Sequence, residues 1–109
     1  MNELTEMIVK FREERNWKQF HNPKDIAISL LLEAGELLEN FQWKSSEEAV
    51  EVNRDKIVAE LADVLYYVLL LSHERGIDVE EALKLKMIEN ERKYPVQKAF
   101  GSNKKYTEL

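Results

Sequence analysis

Two pairs of carboxylates stand where a chain rarely puts charge. Glu33 and Glu36 interrupt LLLEAGELLENF (30–41), and Glu60 and Asp63 interrupt IVAELADVLYYVLLL (57–71). Each pair is spaced i, i+3, which on a helix sets both side chains on one face with Cβ atoms about 5–6 Å apart. The stretches that carry them lack a clean polar stripe, and IAISLLL (26–32) is apolar at six of seven positions. Helices of that kind are buried nearly all round, in a core or in a subunit interface. An uncompensated buried ion costs several kcal/mol, and neighbouring carboxylates repel until one takes up a proton. No basic residue lies within either apolar run. A divalent cation resolves the conflict: four carboxylates carry a charge that two Mg²⁺ would balance. Oxygen ligands without cysteine or a nearby histidine suit Mg²⁺ or Mn²⁺ better than zinc. The plainer alternative sets these acids on the solvent edge of a bundle, a weaker account of two pairs than of one. A di-iron carboxylate bundle would need Glu-x-x-His on two helices, and that pattern does not occur.

The elements that must hold these acids are helices. Leu4, Met7, Ile8 and Phe11 fall at helical spacing in residues 3–15. After a loop with Trp17, Phe20 and His21, Asn22-Pro23 reads as an N-cap followed by proline at the first helical position. That start predicts a second helix from about Lys24 to Phe41. Ser45 with Glu48, and Asp78 with Glu81, have the spacing of capping boxes. They open a short third helix and a last one running to about Lys93, which Tyr94-Pro95 stops. Between them a long helix covers roughly Arg54 to Arg75 and ends on Gly76. The expected fold is all-α, a bundle of four to five helices over 1–95, with a polar tail over 96–109 that orders against a partner chain.

Composition sets the remaining bounds. A chain of 109 residues suits one domain, and 44% hydrophobic with 34% charged residues suits a globular one. Cysteine is absent, which rules out disulfides and Cys-based zinc sites and suits a reducing cytoplasm. The acidic N-terminus lacks the apolar core of a signal peptide, and no apolar run reaches the ~18 residues that span a bilayer. A net charge of −5 leaves no basic footprint for nucleic acid.

With EAGE (33–36) and ELAD (60–63) in view, the sequence resembles the ExxE…ExxD signature of the all-α nucleoside-triphosphate pyrophosphohydrolases. Within them it is similar to the MazG-like and dCTP pyrophosphatase branch. WKQFHNPKD (17–25), FQW (41–43) and KMIENERKYP (86–95) extend the likeness over most of the chain. The resemblance implies a helical homo-oligomer, a dimer or a dimer of dimers. It implies Mg²⁺-dependent cleavage of a (d)NTP, dCTP or a modified dCTP, to monophosphate and pyrophosphate. It marks Glu33, Glu36, Glu60 and Asp63 as metal ligands, His21, Trp43 and Tyr67 as base-binding, and Lys86, Asn90, Lys93 and Tyr94 as phosphate-binding. Glu36 is the acid expected to activate water.

The residues by themselves agree in part. Tyr67 is i+4 from Asp63, on its face, and Trp43 is i+7 from Glu36, on its face if the helix persists that far. Lys86, Asn90 and Lys93 make a stripe that could hold phosphate oxygens, though a solvated face explains it as well. Trp17, Phe20 and Trp43 suit a core as readily as a ligand, and His21 could serve as a helix cap. Glu39 extends the acid row or faces solvent, and His73 reads as structural or surface. Gly35, unfavourable inside a helix by about 1 kcal/mol, implies close helix packing or ligand approach. Two other readings stay open: a non-catalytic acidic module that binds a partner, and a dUTPase-like or histidine-biosynthetic relative with the same metal site and another base.

Overall fold

The computed structural model describes residues 1–109, which divide into two compact units, Met1–Ile77 and Asp78–Leu109. No strand forms. The first unit contains α1 (Asn2–Glu14), a 3-10 turn (Lys18–Phe20), α2 (Pro23–Glu39), α3 (Ser46–Val52) and α4 (Arg54–Glu74). The second contains α5 (Val79–Lys93), the one-turn α6 (Val96–Ala99) and a 3-10 turn (Tyr106–Glu108). Within the polar stretch 96–109 the local helical structure is α6 and the second 3-10 turn.

The caps work as their residue types require. Asn22 accepts from the Asp25 N–H (2.9 Å), Ser45 from Glu48 (3.2 Å) and Asp78 from Glu81 (3.1 Å), each satisfying an otherwise orphaned donor. The cap of α2 is therefore Asn22, and His21 is free of that role. Gly76 closes α4 with φ +63°, and the Ile77 N–H returns to the Ser72 carbonyl (2.8 Å).

One boundary differs in a way that matters. The second helix stops at Glu39, short of Phe41. Asn40 Nδ2 donates back to the carbonyls of Glu36 (3.2 Å) and Leu37 (3.4 Å). The next N–H groups bond three residues back, Asn40 to Leu37 and Phe41 to Leu38, which tightens the chain into turns. The condition that put Trp43 on the Glu36 face is not met: Trp43 sits in the turn, 92% exposed, with a left-handed φ of +63°.

In the first unit α2 packs on α4, which also receives α1 and α3. The two long helices run in opposite directions. Asn40, just past the end of α2, accepts through its backbone carbonyl from Asn53 Nδ2 just before α4 (2.8 Å). The core is small: Ile26, Ala49, Leu69 and Leu70 are buried. Much of the apolar surface of the long helices stays open in a single chain, with Leu31 71%, Leu38 70% and Leu61 53% exposed. The near-complete burial expected of α2 and α4 is not achieved within one chain. Gly35 shows the same gap: a Cβ there would meet nothing within 4 Å, so close packing inside the chain does not account for it. No helix is long and apolar enough to cross a membrane.

Candidate metal centre

The i, i+3 spacing turns each acid pair to one face, and the packing of α2 on α4 brings the two faces together. One carboxylate oxygen each from Glu33, Glu36 and Glu60 lies within 4.8 Å of the others. Glu33 and Glu60 are half-buried, while Glu36 is open to solvent. Asp63, one turn further along α4, is outside that triple but raises the Glu33 pKa by its charge and shares a cavity with it.

No cation of the chain compensates these acids, as none of the ion pairs involves them. Glu33 Oε2 and Glu60 Oε2 are buried with no hydrogen-bond partner. The result is a carboxyl held far from its ordinary range. Glu33 is pushed up to about 7, first by burial, then by its contacts with Glu60 and Glu36. Orphaned, converging oxygens with a proton held only by crowding fit a hard divalent cation, which would displace that proton and satisfy the lone pairs.

An aromatic cavity of about 480 Å³ opens beside Glu33 and Asp63. Its wall includes Phe11, Trp17, His21, Tyr66 and Tyr67. Edge-to-face contacts chain these rings together: Trp17 to Phe11 (5.6 Å), Phe11 to Tyr66 (6.5 Å) and Tyr66 to Tyr67 (4.9 Å). Such a slot suits a planar heterocycle. Burial raises the Tyr67 phenol, followed by the Glu33 charge, and a hydrogen bond to Ser29 works the other way. His21 is lowered by burial and then by the Arg12 charge, against Glu74. Its buried Nδ1 has no partner, so the imidazole that lines the slot has hydrogen-bonding capacity to spare.

Of the expected site residues, the structure thus gathers Glu33, Asp63, His21 and Tyr67 around one cavity, with Glu36 and Glu60 adjoining. Trp43 does not line it. Lys86, Asn90, Lys93 and Tyr94 belong to the second unit, on α5 and its C-cap. There Lys86 (3.3 Å) and Lys93 (3.0 Å) share Glu89, Asn90 Nδ2 reaches Met87 Sδ, and Tyr94 stands edge-on to Tyr106.

Sequence reasoning missed Tyr66 and Arg12. Tyr66 was indistinguishable from core in an apolar run. Arg12, inside the charged stretch FREER, resembles a solvated face, yet it is fully buried and its Nη1 meets Glu74 Oε1 at 2.5 Å. Its carbonyl also accepts from the Trp17 N–H (3.1 Å), fixing the loop that carries the slot's Trp17 and His21.

Comparison with known proteins shows the family. Residues 28–109 match the model of the MazG-like family. The dCTP pyrophosphatase 1 of Bos taurus is 37% identical over 114 residues, covering all of this chain and 68% of that protein. The Homo sapiens dCTP pyrophosphatase 1 is also 37% identical, with 67% of its length covered. A crystal structure of a pyrophosphatase from Archaeoglobus fulgidus superimposes with a TM-score of 0.82 at 44% identity, covering 87% of this chain and 92% of that one.

Proposed function

Because the chain belongs to the MazG-like family, we propose that this nucleoside-triphosphate pyrophosphatase cleaves dCTP or a modified dCTP, with Mg²⁺ as its cofactor and Mn²⁺ able to replace it. The observation that carries the metal reading is the uncompensated acid cluster, with buried Glu33 and Glu60 oxygens that nothing in the chain satisfies. Glu33, Glu36, Glu60 and Asp63 would hold the ion. When bound, it would neutralise charge on the triphosphate and on the phosphoryl group under attack.

The chain's own residues divide the remaining work. Glu36 is the open member of the converging triple, so it can meet water and take its proton. The water oxygen bonds to the α-phosphorus, the bond from that phosphorus to the bridging oxygen breaks, and its electron pair leaves with pyrophosphate. The aromatic slot receives the base, with Tyr67 and Trp17 supplying ring faces and His21 a hydrogen bond. Lys86, Asn90, Lys93 and Tyr94 are assigned to the phosphates on the family resemblance alone.

Trp43 lies outside the slot of its own chain, so any share it has in base binding would come from a second copy. The exposed leucines of α2 and α4 support such a homo-oligomer, a dimer or a dimer of dimers. A substrate drawn from the nucleotide pool supports a cytoplasmic enzyme, one that would remove unwanted nucleotides.

The test is a pyrophosphate-release screen over the eight common NTPs and dNTPs and 5-methyl-dCTP, with Mg²⁺ or with EDTA. The expected result is release in the Mg²⁺ arm alone, fastest with the cytosine deoxynucleotides. Equal release in EDTA would overturn the metal reading, and silence in every well would favour the non-catalytic binding module.

A further inference from the structure

The acid row has two ends, and they open onto different cavities. Because α2 and α4 run in opposite directions, Glu33 adjoins Asp63 at one end and Glu36 adjoins Glu60 at the other. The first end faces the aromatic slot. The second faces a polar cavity of about 580 Å³ whose lining includes Glu36, Glu60, Glu39, Lys44 and Lys56. Lys44 comes from the turn after α2, and Lys56 from the first turn of α4, one turn before Glu60. The hydrogen bond from Asn53 Nδ2 to the Asn40 carbonyl (2.8 Å) clasps these two lysine-bearing segments together.

Neither lysine takes part in an ion pair, although three carboxylates share its cavity. The lysines of α5 are in the opposite condition, with Lys86 and Lys93 both on Glu89. Two unpaired ammonium groups in a cavity continuous with an acid cluster make an anion site as soon as the acids are neutralised. The polarity then orients a nucleotide: base in the aromatic slot, reacting phosphorus over the acids, outer phosphates beyond them.

We infer that Lys44 and Lys56 receive the β- and γ-phosphates of the substrate, and so hold the pyrophosphate that leaves. This rests on the pyrophosphohydrolase reading above. Ammonium groups suit the task as mobile point charges on phosphate oxygens. Negative charge builds on the leaving pyrophosphate as the bond to the α-phosphorus breaks, so the lysines act more strongly in the transition state than in the ground state. Their loss lowers kcat as well as raising KM.

The experiment measures binding as well as turnover in Lys44→Gln, Lys56→Gln and the double variant. Inorganic pyrophosphate in the presence of Mg²⁺ is one probe, and dCMP, which lacks the outer phosphates, is the other. Each single variant weakens pyrophosphate binding about tenfold and the double variant about a hundredfold. Affinity for dCMP stays within about twofold of wild type, and the far-UV circular dichroism is unchanged. A double variant that binds pyrophosphate as tightly as wild type overturns the assignment, as does one that loses pyrophosphate and dCMP equally. A wild-type protein that releases no pyrophosphate from any nucleotide sinks the parent reading. Wild-type turnover matched by the double variant sinks the lysine assignment alone.

Discussion

The first unit draws carboxylates inward in two places and treats them oppositely. Glu74, near the end of α4, is met by the fully buried Arg12. Its desolvation would raise its pKa, but the hydrogen bond and charge of Arg12 outweigh that and hold it below the ordinary carboxylate range. Glu33, Glu36 and Glu60 converge with no cation paired to them, and Glu33 is driven upward to about 7. A chain that can bury an arginine against one glutamate is able to neutralise an inward charge where structure requires it. Leaving the other cluster bare keeps a place for a ligand that the chain does not itself encode.

That contrast can be broken at either end. The largest effect is expected at the bare cluster: Glu36→Gln lowers kcat by at least about a hundredfold, while helical content measured by circular dichroism stays as in wild type. A variant with near-full Mg²⁺-dependent activity would remove Glu36 from the site. At the compensated end the effect moves to stability. Arg12→Met strands Glu74 and costs about 3 kcal/mol in urea unfolding. Pairing it with Glu74→Leu recovers most of that loss, because two apolar side chains replace a buried ion pair at little cost. If Arg12→Met unfolds at the wild-type midpoint, the ion pair is not what holds α1 to α4.

The smallest effect sharpens the comparison through pH. Without metal, folded Glu33 keeps its proton up to about 7, whereas an unfolded glutamate loses it near 4.5. Between those values the folded state binds more protons than the unfolded one. This carboxyl's contribution to stability is therefore full below about 4.5 and is lost as pH rises to about 7. Glu33→Gln in EDTA should flatten that part of the thermal-midpoint profile. Glu74, with its lowered pKa, contributes in the opposite sense, losing its stabilising charge as pH falls. An unchanged slope in Glu33→Gln would show that Glu33 is not the crowded carboxyl.

Much of the fold was legible because its signals are local. Asn22, Ser45 and Asp78 cap where their types and spacing say they should, since a side-chain oxygen reaches an N–H only three residues on. Where Asn40 turned its amide back onto two carbonyls, the apolar pattern alone carried the second helix two residues too far. The acids were found by a conflict between charge and apolar context, which needs no structure to notice. Arg12 offered no such conflict, because a charged residue among charged residues looks solvated until its partner 62 positions away is known.

The sequence by itself therefore determined the helices α1 to α5, the N-caps at Asn22, Ser45 and Asp78 and the facing of each acid pair, all consequences of local geometry and a 3.6-residue turn. Only the tertiary structure decided that Glu33, Glu36 and Glu60 converge, that Arg12 meets Glu74, and that the acid row has an aromatic end and a lysine end. Those facts depend on how α2 and α4 pass each other, and that is set by long-range packing rather than by any spacing within one helix.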